Sequence, residues 1–415
     1  MKRALSVYIH IPFCLRKCLY CDFLSAPATD RERDAYVRAL CGEIRAEAAH
    51  YKGHAVTTVF LGGGTPSLLS GKQLVRIFDV LRDCYAFFEK PEITMEMNPG
   101  TITEEKLAHY AACGVNRVSI GLQSADNTEL ALLGRIHTWE EFLAGYELCR
   151  KAGFYNINID LMSALPGQTL SSYLETLRKV TALRPEHISS YSLIIEEGTP
   201  FYEMYGETDD AGNVRAAAQE MDERRMGGRQ DASGQSAAAP QTRAAAALPE
   251  EETQLAMYKE TKSLLGEKGY HRYEISNYAL PGCECAHNRV YWERGEYAGF
   301  GLGASSMAGG RRWSNVRSLA DYMELPDGAK KTEPHTLSVR EQMEETMFLG
   351  LRMMRGVSEK TFLDTFHRPL DEVYGKVIEK HCAQGLLVRE NGAVRLTDRG
   401  IDVSNYVLAD FLLEK

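Results

Sequence analysis

Short apolar runs alternate with longer amphipathic ones through the first half of this 415-residue chain, and this alternation constrains the fold more than any other feature. The apolar runs have the length of β-strands and lie at Ser6–Ile11, Val56–Leu61, Ile93–Met97, Arg117–Gly121, Asn156–Leu161 and Ile188–Ile195. Patterns of helical period lie between them, at Arg31–Tyr51, Lys72–Phe88, Glu104–Ala112, Glu140–Ala152 and Ser171–Leu183. Strands that alternate with helices predict an α/β fold with a parallel sheet and right-handed crossovers. Periodicity alone does not decide whether the sheet closes into a barrel.

Three cysteines, Cys14, Cys18 and Cys21, follow the first predicted strand. Thiolates at this spacing can hold three irons of a [4Fe–4S] cluster and leave the fourth iron without a protein ligand. An open iron can bind a small molecule, and the amino and carboxylate groups of S-adenosylmethionine (SAM) suit it. A zinc site would need a fourth ligand, and neither His10 nor Cys41 stands at finger spacing. A disulfide framework does not fit a chain of this length with scattered cysteines.

Charge and cysteine usage limit the partners and the compartment. The formal net charge of −9 argues against a nucleic-acid partner held by electrostatics. No apolar run is long enough to predict a transmembrane segment. Cluster thiolates must stay reduced, so the chain is expected in the cytoplasm. Single cysteines within helical patterns are expected to be packing residues, namely Cys41, Cys84, Cys113, Cys149 and Cys382.

Composition divides the chain into four predicted regions, residues 1–205, 206–249, 250–330 and 331–415. The second of these lacks aromatic residues and is rich in alanine, glycine and charged residues, which predicts a mobile insertion or linker. In the last region, helical patterns precede two short strands joined by Asn391-Gly392, which is typical of a winged-helix-like module. Acidic residues outnumber basic ones there, so the module is expected to pack or to bind protein rather than DNA.

Polar residues stand where the predicted strands end, at positions where a core would hold apolar ones. The second strand leads into Gly62-Gly63-Gly64-Thr65, whose backbone can approach a ligand closely and offer N–H groups. The other candidates are Glu96, Gln123 and Asp160 after the third, fourth and fifth strands, Arg135 on the next element, and Tyr8 and Tyr20 beside the cysteines. Any one of these could be an ordinary strand-end or core residue. Together they predict a pocket for a zwitterionic nucleoside such as SAM, because the carboxyl ends of parallel strands share one edge.

The cysteine spacing resembles that of the radical SAM superfamily. Four further segments, Tyr8–Cys14, Gly62–Pro66, Arg117–Ser124 and Asp160–Thr169, are similar to the oxygen-independent coproporphyrinogen III oxidase group. The resemblance covers nearly the whole chain except Gly206–Pro249. It implies a radical SAM partial (β/α)6 barrel, a C-terminal α+β region, a [4Fe–4S] cluster and SAM. The group holds an oxidase that decarboxylates two propionates through a 5′-deoxyadenosyl radical, and the HemW heme chaperone family, which is implied to carry heme.

Three features favour the HemW branch over the oxidase. The oxidase has a further cysteine two positions after the third, where this chain has Phe23. The oxidase also has an extra N-terminal segment for its substrate, and the short stretch before Cys14 predicts that this segment is missing. Finally, His287-Asn288-Arg289-Val290-Tyr291-Trp292 matches the H-N-x-x-Y-W motif associated with heme binding in HemW.

The side chains of that motif suit heme chemically. Imidazole is a common axial ligand of heme iron, which fits His287. Tyr291 and Trp292 offer flat apolar surface, and Arg289 could pair with a propionate. The same residues could instead be packing residues in a linker between domains. Alternative thiolate ligands stand just before the motif, at Cys283 and Cys285.

The leading prediction is a carrier that binds the cluster, SAM and heme and delivers heme to acceptor proteins. The resemblance implies membrane-linked respiratory acceptors. The alternative is the coproporphyrinogen III oxidase of heme biosynthesis, and a third class, nucleic-acid modification, is disfavoured by the acidic C-terminal region. The sequence leaves open whether SAM is cleaved, which acceptor is used, and the oligomeric state, with a cluster-dependent dimer as one possibility.

Overall fold

The computed structural model describes residues 2–206 and 246–413, so most of the predicted insertion lies outside the described residues. Six parallel strands stand side by side in sequence order at the centre of a twelve-stranded sheet. These strands are β1 (Arg3–Ile11), β2 (His54–Gly63), β3 (Phe87–Met97), β4 (Arg117–Gln123), β5 (Ile157–Ser163) and β6 (His187–Ser192). The accompanying helices are α1 (Asp30–Glu47), α2 (Gly71–Cys84), α3 (Glu104–Ala112), α4 (Asn127–Leu132), α5 (Trp139–Lys151), α6 (Leu170–Ala182) and α7 (Pro200–Tyr205).

Local sequence fixes where the connecting helices begin. Helices α1, α2, α5 and α6 each start with a capping box, in which the N-cap side chain and the third helical residue satisfy each other's backbone N–H groups. Thr29 and Glu32 form the first of these. The predicted helix Lys72–Phe88 is wrong at its end, because α2 stops at Cys84 and Phe87 pairs with Val56 as the start of β3.

The second half of the chain extends this sheet at both edges. Strand β8 pairs antiparallel with β6, and β9 pairs parallel with β1, so β1 and β6 do not meet and the barrel is partial. The elements of this region are α8 (Glu251–Glu267), β7 (His271–Arg272), β8 (Asn277–Ala279), α9 (Ala286–Trp292), β9 (Tyr297–Phe300), β10 (Ser305–Ala308), β11 (Arg311–Ser314), α10 (Leu319–Glu324) and β12 (His335–Thr336).

The C-terminal region forms a separate layer with its own apolar core, and its arrangement is winged-helix-like. Three strands pair in the order β13, β15, β14 beside the helices. The turn between β14 and β15 holds Asn391 and Gly392 at φ values of 52° and 72°, as a two-residue hairpin turn requires. The elements are α11 (Val339–Gly350), β13 (Val357–Ser358), α12 (Glu359–Phe366), α13 (Leu370–Ala383), β14 (Leu387–Glu390), β15 (Ala393–Leu396), α14 (Asp398–Asp402) and α15 (Ser404–Ala409).

The predicted fold class is thus confirmed: an α/β partial barrel followed by an α+β region. Across residues 2–206 and 246–413, none of the helices combines the length and the apolar character needed to cross a bilayer.

A buried carboxylate, Glu43 of α1, joins the barrel to the second half. It accepts hydrogen bonds from the Gly301 N–H at 2.9 Å, Asn315 Nδ2 at 2.6 Å and the Tyr322 hydroxyl at 2.6 Å. We expect Glu43→Ala to lower the free energy of unfolding by roughly 3–5 kcal/mol, because three buried donors lose their acceptor. Urea denaturation followed by circular dichroism measures this loss. Glu147→Ala, on the exposed face of α5, is the control, and an equally small loss in both variants would contradict the expectation.

Candidate functional site

The face of the sheet that points into the barrel is polar, because side chains alternate along each strand. Leu5, Val7 and Ile9 of β1 pack toward the helices and are fully buried in the apolar core. The residues between them face inward, and all six strands repeat this alternation. The inward-facing residues of the strands and the nearby residues of α9 line a cavity of about 220 Å³, which we call the barrel cavity: Tyr8, Phe60, Glu96, Arg117, Ser119, Asn158, Asp160, Ser189, Tyr191, His287, Asn288 and Tyr291.

The cysteine loop after β1 is held by the glycine-rich turn after β2. The Gly64 N–H donates to the Ile11 carbonyl at 2.9 Å, and the Thr65 N–H donates to the Phe13 carbonyl at 2.7 Å. A Cβ atom on Gly64 would stand 2.7 Å from the Phe13 oxygen, so only glycine allows this approach. The Gly63 N–H donates to Glu96. These N–H groups therefore bind the protein itself, whereas the sequence predicted that they face a ligand.

A chain of polar contacts links two of the three cysteines across the strand ends. Cys14 Sγ lies 3.5 Å from Thr65 Oγ1, which accepts a hydrogen bond from Asn98 Nδ2 at 2.8 Å. The Arg135 guanidinium donates to Asn98 Oδ1 at 2.9 Å and reaches Cys18 Sγ at 3.7 Å. The sequence did not single out Asn98, although its position beside Glu96 at the end of β3 was a usable signal.

The donor set of the loop fits an iron–sulfur cluster. Cys14, Cys18 and Cys21 are free, half-buried thiols on one loop, and burial raises the pKa of Cys21 to about 11, as do the two neighbouring thiols. The Arg135 guanidinium that contacts Cys18 can offset negative charge on bound sulfur. Within the described ranges, no three His, Cys, Asp or Glu side chains converge closely enough for a single metal ion. Three thiols on one loop suit a cubane cluster, because each cysteine binds a different iron.

Two carboxylates and a guanidinium face one another in the barrel cavity. Asp160 accepts hydrogen bonds from Ser119 Oγ at 3.0 Å and Asn158 Nδ2 at 2.7 Å. Burial, and after it the charge of Asp160, raises the pKa of Glu96 to about 8. Arg117, which the sequence did not single out, is only 2% exposed, and its Nε has no hydrogen-bond partner among the described residues. The cavity therefore places two carboxyl groups and a guanidinium where a zwitterion would contact them.

Gln123 stands at a β-bulge. The register between β4 and β5 shifts between Gly121 and Gln123, and Gln123 has a φ of 76°, which is rare for a residue with a side chain. A bulge re-aims side chains at strand ends. The Gly121 carbonyl accepts a hydrogen bond from Arg135, so this bulge lies beside the cysteine network.

The two tyrosines predicted near SAM occupy different environments. The Tyr8 hydroxyl lies 3.0 Å from His10 Nδ1, and its ring lines the barrel cavity. The Tyr20 ring packs near Phe201, with centroids 6.4 Å apart. Burial raises the pKa of Tyr20, and the adjacent Arg135 opposes that rise. Tyr20 therefore belongs to the cysteine side of the site and Tyr8 to the cavity side.

Helix α9 carries the H-N-x-x-Y-W motif into the barrel. Glu92 accepts two backbone N–H groups at the start of this helix, each at 2.9 Å. His287 is 1% exposed, and its Nδ1 lies 2.7 Å from Thr58 Oγ1, which donates to Ser6. This network assigns the proton to Nδ1, so Nε2 accepts the Tyr291 hydroxyl at 2.8 Å. Burial lowers the pKa of His287 to about 3, which keeps the imidazole neutral.

Two residues of the motif, Arg289 and Trp292, lie outside the lining of the barrel cavity. Trp292 lines an open groove against the C-terminal region, and the Arg352 guanidinium lies 4.5 Å from its ring centroid. Arg289 forms an ion pair with a glutamate one turn later on the surface. Cys285 is fully buried and Cys283 is half-buried. The structure therefore brings His287 and Tyr291 together with the predicted SAM residues and leaves Arg289 and Trp292 outside.

Comparisons with known proteins agree with this arrangement. Residues 8–180 match the Radical SAM superfamily, and residues 337–403 match the HemN C-terminal domain. The solved coproporphyrinogen III oxidase (HemN) of Escherichia coli superposes with a TM-score of 0.79 at 23% identity, covering 99% of this chain and 90% of that one, which shows the fold. Two proteins named Heme chaperone HemW are similar over nearly their whole length. The Lactococcus lactis protein is 34% identical, covering 99% of this chain and 97% of its own, and the Bacillus subtilis protein is 35% identical, covering 99% of each. The chain belongs to the HemW heme chaperone family.

Proposed function

We propose that this protein is a cytoplasmic heme chaperone that carries a [4Fe–4S] cluster and SAM, binds heme and passes it to acceptor proteins. The observation that carries the proposal is the position of His287 and Tyr291 on the same cavity as Glu96 and Asp160. Residues suited to heme iron and residues suited to SAM thus face one space. The relatives named as heme chaperones support this reading.

The cysteine side of the site would hold the cluster and SAM. Cys14, Cys18 and Cys21 would bind three irons, and Arg135 would offset thiolate charge at Cys18. When bound, the cluster would supply an open iron and one-electron chemistry. Glu96 and Asp160 would accept hydrogen bonds from the ammonium and hydroxyl groups of SAM.

His287 would hold heme iron through the lone pair on its Nε2 atom, because its Nδ1–H donates a hydrogen bond to the Thr58 hydroxyl. The Tyr291 hydroxyl donates a hydrogen bond to that lone pair, so coordination of iron by His287 requires the Tyr291 side chain to move. Cys283 and Cys285 are the alternative ligands, and of these only Cys283 has exposed surface.

An anaerobic heme titration of the cluster-reconstituted protein, followed at the Soret band, tests the proposal. We expect saturable binding that weakens at least tenfold in His287→Ala, because an axial ligand is lost. His381→Ala, which removes another fully buried histidine far from the motif in sequence, is the matched control and should retain affinity.

Other outcomes of this titration are equally informative. Binding that is unchanged in His287→Ala keeps heme but moves the ligand to Cys283 or Cys285. If no saturable binding is seen, the carrier proposal fails and a porphyrinogen decarboxylase takes its place. Chromatography that detects vinyl-bearing product from coproporphyrinogen III would then confirm the enzyme.

A further inference from the structure

A second cavity, of about 340 Å³, lies next to the barrel cavity, and Tyr8 and Tyr291 line both spaces. We call it the outer cleft. It lies against the cysteine loop, since Asp22, Phe23 and Leu24 form one of its walls. Tyr297 and Leu302, from the strand that pairs with β1 and the loop after it, contribute to the rest of the lining. The outer cleft therefore touches both the cluster loop and the heme motif.

Aromatic rings line part of the outer cleft. Phe23 stands two residues after Cys21, and it is 62% exposed, the most exposed phenylalanine in the described part of the chain. The Tyr291 and Tyr297 rings meet edge to face, with centroids 4.9 Å apart and an angle of 81° between the planes. Aromatic rings with this rigidity offer stacking surface to a flat conjugated ligand. A ligand lying there would cover the exposed Phe23 ring.

One cation in the outer cleft has no acidic partner. Arg317 is exposed, and no ion pair or hydrogen bond to its side chain is found within residues 2–206 and 246–413. By contrast, Arg312 and Arg294 on nearby segments both pair with Glu345. A free guanidinium binds carboxylates in bidentate geometry. Asp22, the one carboxylate of the lining, lies on the cysteine loop.

We propose that the outer cleft docks the tetrapyrrole ring of heme, with Phe23 and Tyr291 against the macrocycle and Arg317 on a propionate. The ligand class follows from a flat aromatic wall combined with a free cation. The inference rests on the proposed heme-binding function and assigns the place where the ring lies. It also explains how heme reaches a buried imidazole, because Tyr291 contacts the outer cleft on one side and His287 on the other.

Titration with metal-free protoporphyrin IX, followed by quenching of protein fluorescence, tests this site without iron ligation. We expect Phe23→Ala and Arg317→Gln each to weaken binding about tenfold, through lost stacking and a lost charge-assisted hydrogen bond. Phe88→Ala and Arg311→Gln replace an exposed phenylalanine and an exposed arginine outside the cleft and should bind as the wild type does.

The same titration separates this site from the iron ligand. The wild-type protein should bind metal-free porphyrin even if the heme titration shows that His287 is not the iron ligand, because no iron is present. The assignment of porphyrin to the outer cleft would be overturned if the two cleft variants and their controls bound porphyrin with equal affinity. It would also be overturned if no porphyrin bound at all. If SAM competes with porphyrin, and the cleft variants lose affinity for SAM but not for porphyrin, the outer cleft binds the nucleoside. That result would also overturn the proposed porphyrin site. Circular dichroism of each variant checks that it folds.

Discussion

Replacing Cys18 with alanine is expected to abolish the visible absorbance of the reconstituted [4Fe–4S] cluster and, with it, the binding of SAM. Three thiolates bind only three of the four irons, so the loss of one thiolate leaves too few protein ligands to hold the cubane. The structure adds a reason for choosing Cys18, because its sulfur is the one that Arg135 contacts. Iron and sulfide analysis and the visible spectrum after anaerobic reconstitution measure the effect.

Cys84→Ala is the control for this experiment. Cys84 is also a half-buried free thiol, but it ends α2 and lies far from the cysteine loop in sequence. This variant should reconstitute as the wild type does. An unchanged visible spectrum in Cys18→Ala would refute the assignment of the cluster to this loop.

Glu96→Gln is expected to make the protein more stable at pH 8 while weakening SAM binding at least tenfold. The pKa of Glu96 is about 8 in the folded protein, because of burial and the nearby Asp160, against an ordinary value of 4.5. Glu96 therefore loses its proton at a lower pH in the unfolded state than in the folded state. The stability of the folded state is lost as pH rises from about 4.5 to about 8. Glutamine has no proton to release, so the gain over wild type should be near zero at pH 4.5 and about 4 kcal/mol at pH 8.

Urea denaturation at the two pH values, paired with calorimetric SAM titration of the reconstituted protein, checks both halves of this expectation. Glu105→Gln, an exposed carboxylate on α3, should change neither quantity. A stability change of the same size at both pH values would mean that Glu96 does not titrate as described. Unchanged SAM affinity would remove Glu96 from the pocket.

The sequence predicts the elements whose signal is local. The predicted helix Glu104–Ala112 coincides with α3, and the Asn391-Gly392 hairpin is found where expected. The boundary error at Phe87 arose because an aromatic residue continues the apolar pattern of α2 and also suits a strand. The two-residue strands β7 and β12 were not predicted, because so short a run shows no period.

The candidate site likewise contains residues that the sequence predicts and residues that it does not. The cysteines could be found because their spacing is set within one loop. The partners of His287 could not, since Thr58 and Glu92 lie 229 and 195 residues away along the chain. The sequence predicts that the H-N-x-x-Y-W motif forms a single heme surface. In the structure the motif lies on a helix, where residues four apart share a face. Trp292 therefore does not share the face of His287.

The pairing of β1 with β9 has a consequence for the order in which the chain folds while it is being synthesised. It joins a strand to one that is made roughly 290 residues later, and pairings this distant in sequence form late in folding. Until β9 arrives, strand β1 pairs with β2 alone, and α9 has not yet reached Thr58. The half-made chain thus offers small cofactors a wider path to the barrel interior than the completed one does.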